Sequence, residues 1–567
     1  MPRVRATEVD GDVVLSAQTP LPPVVPRVGD WLDRWSRDRP DAPFLAERGA
    51  DGGWETLSYA EAHRAVAGVA AALLARGARP DRPVVTLSDN SVAVAVLSLA
   101  AMAIGVPVAP ISPAYSLLST THERLREVVD LVGPGFVFAE DPSRVDAALG
   151  AIAHHGAAGL SAAEVRALAR TEPCASPEVG PETVAKILFT SGSTGAPKGV
   201  VNTQRMLCAN QASLAAIWPF LAERPARLVD WLPWSHTFGG NHNFFLVLSC
   251  GGTMWIDRGR PAAGLLATTL DNLAEVGPSL WFNVPRGFDL AVAALEADPE
   301  RARRVFRNLE ILFYAGAALA PSTRARLEVV AANAGRPDVF FTSSWGSTET
   351  APLATSTHFS TSTTGNLGVP VPGVEVRLAL VEERLEIRVR GPNVTPGTWS
   401  PGGRIAPVAR DPLGFLPTGD AVEWVDPLRP ELGLVFAGRI GENFKLASGT
   451  WVQTGAVRLG LVDALSPWVL DVVLAGQDRA ALGVLIWPSP AGLALPPAEL
   501  EARLTAGFAA WNLVHPGSSE RVGPTRIMQR ALSLDAGETT DKGYTNQRRV
   551  LANRADEVAR LYGERDH

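Results

Sequence analysis

Ten residues from Thr190 to Gly199 read TSGSTGAPKG and follow directly on the apolar run KILF. Four hydroxyls (Thr190, Ser191, Ser193, Thr194) and three glycines (Gly192, Gly195, Gly199) share this stretch with Lys198. Glycine lets backbone N–H groups approach an anion closely, hydroxyls donate to phosphate oxygens, and an ammonium neutralises charge. The pattern therefore points to phosphate binding. It is not a Walker A loop, because Pro197 precedes Lys198 and no Ser or Thr follows it. A plain Ser/Gly linker has the same small residues, and the lysine separates the two. The chain has only four lysines, Lys186, Lys198, Lys445 and Lys542, against 48 arginines. Wherever a surface merely needs positive charge, arginine has been used. The few lysines are thus expected where a compact ammonium is required and a planar guanidinium would not serve.

Further segments repeat the theme. LPWSHTFGG places His236 in a turn rich in glycine and aromatics, and FTSSWGSTET holds Trp345, Gly346, Thr348 and Glu349. PTGD ends on Asp420, FAGRIGENFKLASG carries Arg439 and Lys445, and TTDKGYTNQRRV carries Lys542. Singly, each would pass for a structural residue: a buried histidine, a core aromatic, a turn-forming aspartate. Their combination and order argue for a site.

These residues need a frame. From Trp31 to about Ala175, Ala-rich helical stretches alternate with short β-branched runs such as PVVTLS and GFVFA, which predicts a mostly parallel sheet covered by helices. The alternation continues through KILFT, RLVDWLP, GGTMWID, SLWFNVP, LEILFYAG and VFFTSSWG. Between Gly365 and Phe436, short strands with Gly and Pro turns predict a small antiparallel subdomain. A boundary near Ala437 to Gly441 leaves a large N-terminal domain, 1–437, and a smaller α+β C-terminal domain, 438–567. The latter is expected to end in a helix over TNQRRVLANRADEVARLY. The fold class is α/β. Val92 to Ile111 is long and apolar enough for a membrane span, but Gly105, Pro107 and Pro110 interrupt it, so a buried helix leading into a strand is expected instead. With 567 residues, a net charge of −7 and 46% hydrophobic residues, the chain reads as globular and has no basic excess for nucleic acid. Three cysteines spaced for neither zinc nor disulfides, and no apolar leader in the first residues, suit a reducing, cytoplasmic setting.

At this point the sequence resembles the adenylate-forming superfamily of acyl-CoA ligases, luciferases and nonribosomal-peptide adenylation domains, from about Asp30 to Tyr562. Within it, NTQRMLCANQ, LPWSHTFGGNHN, FNVP, FKLASGTWV and DKGYTNQR look most like bacterial feruloyl-CoA synthases. The resemblance implies that Thr190 to Lys198 hold the β- and γ-phosphates of ATP and that Trp345 packs on adenine beside Gly346. It implies that Thr348 contacts the α-phosphate and Glu349 holds Mg²⁺, a hard cation that suits a carboxylate shared with phosphates. Asp420 and Arg439 then match the ribose contacts, and Gly316, Ala317 and Ala318 the adenine-lining segment. Lys542 matches a lysine bridging carboxylate and phosphate during adenylation, and Lys445 a second active-site lysine. Lys186 is left over and reads as structural.

The implied reaction is attack of a carboxylate on the α-phosphorus of ATP, then displacement of AMP by the thiol of coenzyme A. The C-terminal domain turns between the two steps. The acyl pocket is expected from His236, Phe238, Gly239, Gly240, Asn241, Asn283, Tyr314, Ala315 and Gly316, whose small members leave room for a planar ring. A carrier protein acting in trans is the alternative acceptor, and no membrane partner is expected. The chain departs from the wider pattern in three places: Gly441 at the hinge position after GR-x, TDKGYTNQR in place of GK-x-x-R, and Ser235 before the histidine.

Overall fold

The structure, a computed structural model, describes all residues except 192–196, 263, 364, 541–544 and 565–567, and of Ser191 only the backbone. The chain forms two compact units. The first comprises Met1–Leu378, Arg388–Pro417 and Trp424–Leu434; the second comprises Ala379–Ile387, Thr418–Glu423 and Val435–His567. Two short segments from before residue 437 thus join the C-terminal unit. The chain crosses between the units five times, within strands Glu375–Val381, Arg384–Arg390, Leu416–Trp424 (twice) and Leu434–Arg439.

The first unit is built on two sheets. In one, Pro43–Arg48, Thr253–Ile256, Arg227–Asp230, Leu280–Asn283, Ile311–Tyr314 and Phe340–Gly346 lie side by side and parallel. Leu353–Ser356 and Asn366–Pro370 follow antiparallel. The register sets Asn283, Tyr314 and Ser343 level with one another, so the first two strands end together and the third runs on to Gly346. Loops leaving such a shared C-terminal edge are where open α/β sheets bind ligands. The helices over this sheet bury Trp281, Phe288, Phe306 and Leu312, each no more than 1% exposed.

In the second sheet, Val84–Thr86, Val108–Pro110 and Phe136–Phe138 are parallel, and Val184–Ser191 joins beside Val108. Val184–Ser191 then doubles back on Pro197–Thr203 as an antiparallel hairpin. Strands Gly397–Ser400 and Arg404–Pro407 extend this sheet through Val200↔Thr398, so part of the expected antiparallel subdomain is an addition to an existing sheet. The run Val92 to Ile111 forms helix Val92–Ala103, capped by Ser91, and strand Val108–Pro110. Among the described residues no helix is long and apolar enough to cross a membrane.

The second unit has a three-stranded sheet covered on both faces. Val472, Leu474, Val484 and Ile486 face helices Thr454–Ala464 and Pro497–Val514, while Val473, Ala475, Leu485 and Trp487 pack against Val550 and Leu561. That is the alternation a pleated strand imposes.

The expected terminal helix is two helices, Gln547–Asn553 and Ala555–Leu561, broken at Arg554. The break has a cause. The Arg554 guanidinium turns inward to Glu538 at 2.8 and 2.6 Å and to the carbonyls of Arg530 and Ala531. Burial pushes the Glu538 carboxyl upward, but the Arg554 hydrogen bonds, the Ser533 N–H and the Arg554 charge outweigh it, so its pKa lies below the usual glutamate value. A depressed carboxylate stabilises the fold above its unfolded pKa and loses that contribution as pH falls through the folded value.

Arg554→Met should leave Glu538 buried without its cation and destabilise the chain by about 3–5 kcal/mol. Urea melts at neutral pH check this. The deficit should shrink as pH falls below the usual glutamate range; a pH-independent deficit would contradict the assignment.

Candidate functional site

The hairpin Val184–Ser191/Pro197–Thr203 pairs Thr190 with Lys198 and Ser191 with Pro197, the described residues on either side of the Ser/Thr/Gly loop. Gly192, Ser193, Thr194 and Gly195 lie outside the described residues. Lys198 is exposed and has no ion-pair partner among the described residues.

Trp345 and Gly346 end strand Phe340–Gly346, and Thr348–Thr350 forms a single 3₁₀ turn after it. Gly346 is required by space: a β-carbon there would lie 1.7 Å from the Pro352 carbonyl oxygen. Among the described residues neither the Thr348 hydroxyl nor the Glu349 carboxylate has a hydrogen-bond partner, while the Glu349 carbonyl accepts from Thr395 N–H at 2.8 Å. A lone carboxylate beside a free hydroxyl suits Mg²⁺, which keeps water and phosphate oxygens as its other ligands. Among the described residues one group of three metal-ligating side chains converges, Asp130, His154 and His155. It contains none of the candidate residues.

His236 is half-buried, and its Nδ1 accepts from Phe238 N–H at 3.4 Å. Phe238–Asn243 then forms a π-helical turn, a rare conformation frequent at functional sites. The expected roles of its small and polar residues change here. A β-carbon on Gly239 would lie 2.3 Å from the Leu232 carbonyl oxygen, and one on Gly240 would lie 2.2 Å from that of Trp234. Their missing side chains make room for the turn's own backbone rather than for a ring. Asn241 is fully buried, and its amide donates to Asn202 Oδ1 at 2.6 Å and Thr237 Oγ1 at 3.1 Å. Phe238 packs with His242, Phe282 and Phe313 in a buried aromatic cluster.

Asn283 and Tyr314 sit at the strand ends. The Asn283 Oδ1 accepts from Val284 N–H at 2.9 Å, and Tyr314 belongs to the helix-facing core. Beyond Tyr314, Ala315 and Ala318 are half-buried, whereas Gly316 (φ +87°) and Ala317 are exposed.

Side chains outside the motifs hold these segments together. Thr395 Oγ1 donates to the Val201 carbonyl at 2.7 Å, linking the hairpin to the Glu349 turn. Asn393 Nδ2 donates to the carbonyls of Thr350 and Leu353 at 2.9 and 2.8 Å. On helix Gln204–Ile217, Asn210 reaches Leu353 O at 3.2 Å and Gln211 reaches Asn241 O at 2.9 Å. Sequence reasoning assigned none of these a role. The available signal was the density of Asn and Gln in NTQRMLCANQ, polar groups on an otherwise buried helix.

In the second unit, Arg439 Nε lies 3.3 Å from Asp420 Oδ1; the carboxylate is buried and the guanidinium exposed. Gly419 (φ +72°) turns the chain just before Asp420, and its N–H donates to Glu386 at 2.9 Å. Gly441 is exposed, with nothing within 4 Å of an added β-carbon. Lys445 lies 4.8 Å over the Trp451 ring on the short ladder Phe444–Lys445/Trp451–Val452. Lys542 lies outside the described residues.

A family model described as AMP-binding enzyme matches residues 32–399, and one described as AMP-binding enzyme C-terminal domain matches 446–566. The chain belongs to the AMP-binding enzyme family. Curated relatives include a long-chain-fatty-acid–CoA ligase of Mycobacterium bovis, 24% identical over 93% of this chain and 96% of that protein. An anthranilate–CoA ligase of Pseudomonas aeruginosa is 27% identical over 72% and 76%. An L-proline–[L-prolyl-carrier protein] ligase of Streptomyces coelicolor is 27% identical over 50% and 52%. Among solved structures, ATP-bound MatB of Rhodopseudomonas palustris superposes with a TM-score of 0.72 at 23% identity, covering 94% of this chain and 99% of that one. That likeness establishes the α/β fold of this AMP-binding enzyme.

Gly346→Ala should destabilise the enzyme by about 3 kcal/mol through overpacking against Pro352. It should also weaken ATP binding, since Thr348 and Glu349 follow directly. Denaturant midpoints and ATP titration calorimetry measure the two effects, and an unperturbed midpoint would contradict the contact.

Proposed function

We propose that this AMP-binding enzyme is an ATP-dependent acid–CoA ligase acting on an aromatic, hydroxycinnamate-like acid. The observation that carries the reading is the convergence within the first unit of the hairpin bearing Thr190 and Lys198 with the turn bearing Thr348 and Glu349, joined through Thr395. A carboxylate oxygen of the acid attacks the α-phosphorus, the bond to the bridging oxygen breaks, and pyrophosphate leaves. The thiol sulfur of coenzyme A then attacks the acyl carbon, AMP departs as the leaving group, and the thiol proton passes to solvent or phosphate. Lys198 and the hydroxyls hold the polyphosphate, and Thr348 donates to the α-phosphate as charge builds there. Glu349 would hold Mg²⁺, which supplies charge neutralisation where two anions meet. Asp420 and Arg439 take the ribose, Trp345 the adenine, and Lys445 and Lys542 serve the two half-reactions; these roles rest on the motif resemblance.

Relatives named for anthranilate and indoleacetate support a planar acid, as do His236 and the small residues Ala315 to Ala318 beside the strand ends. The proline carrier-protein ligase supports a second reading, transfer to a carrier-protein thiol. Acid-dependent pyrophosphate exchange over a panel, followed by free coenzyme A, tests both. Ferulate, coumarate or a benzoate should exceed a fatty acid of equal carbon number, and thioester should form with free CoA. A preference for medium or long alkyl chains would overturn the aromatic assignment. Lys542→Ala should lower adenylation by about two to three orders of magnitude, as for a group aimed at transition-state charge. The same variant should convert presynthesised acyl-adenylate at nearly the wild-type rate; equal loss in both steps would remove the bridging role.

A further inference from the structure

Lys186 is the lysine that no motif claims, and it is the most deeply buried of those described. It stands on strand Val184–Ser191, directly paired with Asn202 across the hairpin, four residues before Thr190, with Asn202 four after Lys198. The side chain is 5% exposed and has no anion beside it among the described residues. Its ammonium donates to the Gly240 carbonyl at 3.0 Å and lies 5.4 Å from the centre of the Phe245 ring. Three N–H groups with one hydrogen-bond acceptor leave two unmet among the described residues. Burial drives its pKa from the ordinary lysine range to about 7. A methionine, unbranched and one atom shorter, would fill most of this space without desolvating a cation, so packing does not explain the residue.

Its partner strand makes the matching contact. Asn202 is fully buried, accepts from Asn241 Nδ2 at 2.6 Å, and turns its own amide N–H toward the Thr348 carbonyl at 3.5 Å. The cross-strand pair thus grips two consecutive residues of the π-helical turn, Gly240 and Asn241, and reaches the Thr348 turn as well. Gly240 is what admits the ammonium: a β-carbon there would lie 2.9 Å from Lys186 Nζ. The clamp sits at the base of the very hairpin whose strands flank the Ser/Thr/Gly loop.

We propose that Lys186, together with Asn202, is a positioning residue of the reaction, fixing the His236–Asn241 turn against the phosphate-bearing hairpin so that the acid is presented to the nucleotide. The proposal rests on the acid-activating reading above. Lys186→Met is the test, because it keeps the unbranched apolar stem and removes both donor and charge. Its melting temperature should equal or exceed wild type, as when a buried charge is replaced by a hydrophobe. In acid-dependent pyrophosphate exchange, the acid KM should rise about tenfold or more while the ATP KM stays within about twofold. Amide hydrogen exchange over residues 236–243 should quicken while strands 280–283 and 311–314 keep their protection.

An unchanged acid KM in a stable variant overturns the proposal, and so does a fall in melting temperature with both KM values intact. If the wild type exchanges pyrophosphate with no acid, the functional reading has failed. Hydrogen exchange still judges the clamp in that case, and unchanged protection of 236–243 removes it. Asn202→Ser carries the same test should Lys186→Met not fold. In the double variant the two effects on acid KM should be less than multiplicative, as for side chains that act through one element; full multiplicativity would show two independent roles and overturn the clamp.

Discussion

Irregular chain buried inside a protein must find partners for its own peptide groups, and that constraint governs the architecture around this site. The π-helical turn Phe238–Asn243 and the stretch from Ser347 to Leu353 both leave regular hydrogen bonding while remaining largely buried. An unmet buried carbonyl or N–H costs about 1–3 kcal/mol, whereas a made bond contributes about 1 kcal/mol net. Partners are therefore obligatory even though each one stabilises little. Here they come from Asn202, Asn210, Gln211, Asn393 and Thr395, side chains fixed on strands, a helix and a buried turn. Rigid elements thereby dictate where the irregular segments lie.

Much of the frame was legible in the sequence because it follows from periodicity alone. The apolar run broken by Gly105, Pro107 and Pro110 becomes helix Val92–Ala103 and strand Val108–Pro110, and PAELEARLTAGFAAWNLV becomes helix Pro497–Val514. What escaped depends on partners distant in sequence. Nothing local in NQRRVLANRADEV marks Arg554 as a break, because its cause is Glu538, sixteen residues earlier and buried. Likewise Gly397–Ser400 carries no mark that it will pair with Val200 rather than close a separate subdomain.

The site divides along the same line. Hydroxyls, glycines and a scarce lysine in ten residues point to a phosphate loop by their chemistry, and the structure pairs the strands on either side of it. A glycine's purpose, however, cannot be read from its letter. Gly239 and Gly240 look like space left for a ligand, yet the space is filled by the carbonyls of Leu232 and Trp234. The Asn241 amide is likewise committed, to Asn202 and Thr237. Room and hydrogen-bonding capacity are properties of the assembled neighbourhood.

Lysine scarcity carries one further step. A guanidinium stays charged in any protein environment, is planar, and brings five donors that all require acceptors when buried. The seat of Lys186 offers the Gly240 carbonyl and the face of Phe245 and no carboxylate among the described residues, so an arginine there would strand both its charge and its donors. An ammonium tolerates such a place because it is compact and because burial lowers its pKa, as it does here to about 7. A chain that uses arginine 48 times and lysine four times has thus kept a lysine in one position where arginine is physically excluded. The exposed Lys198 stands at the opposite extreme: on the phosphate-binding reading of its loop, a point charge on a long stem would have anions to meet.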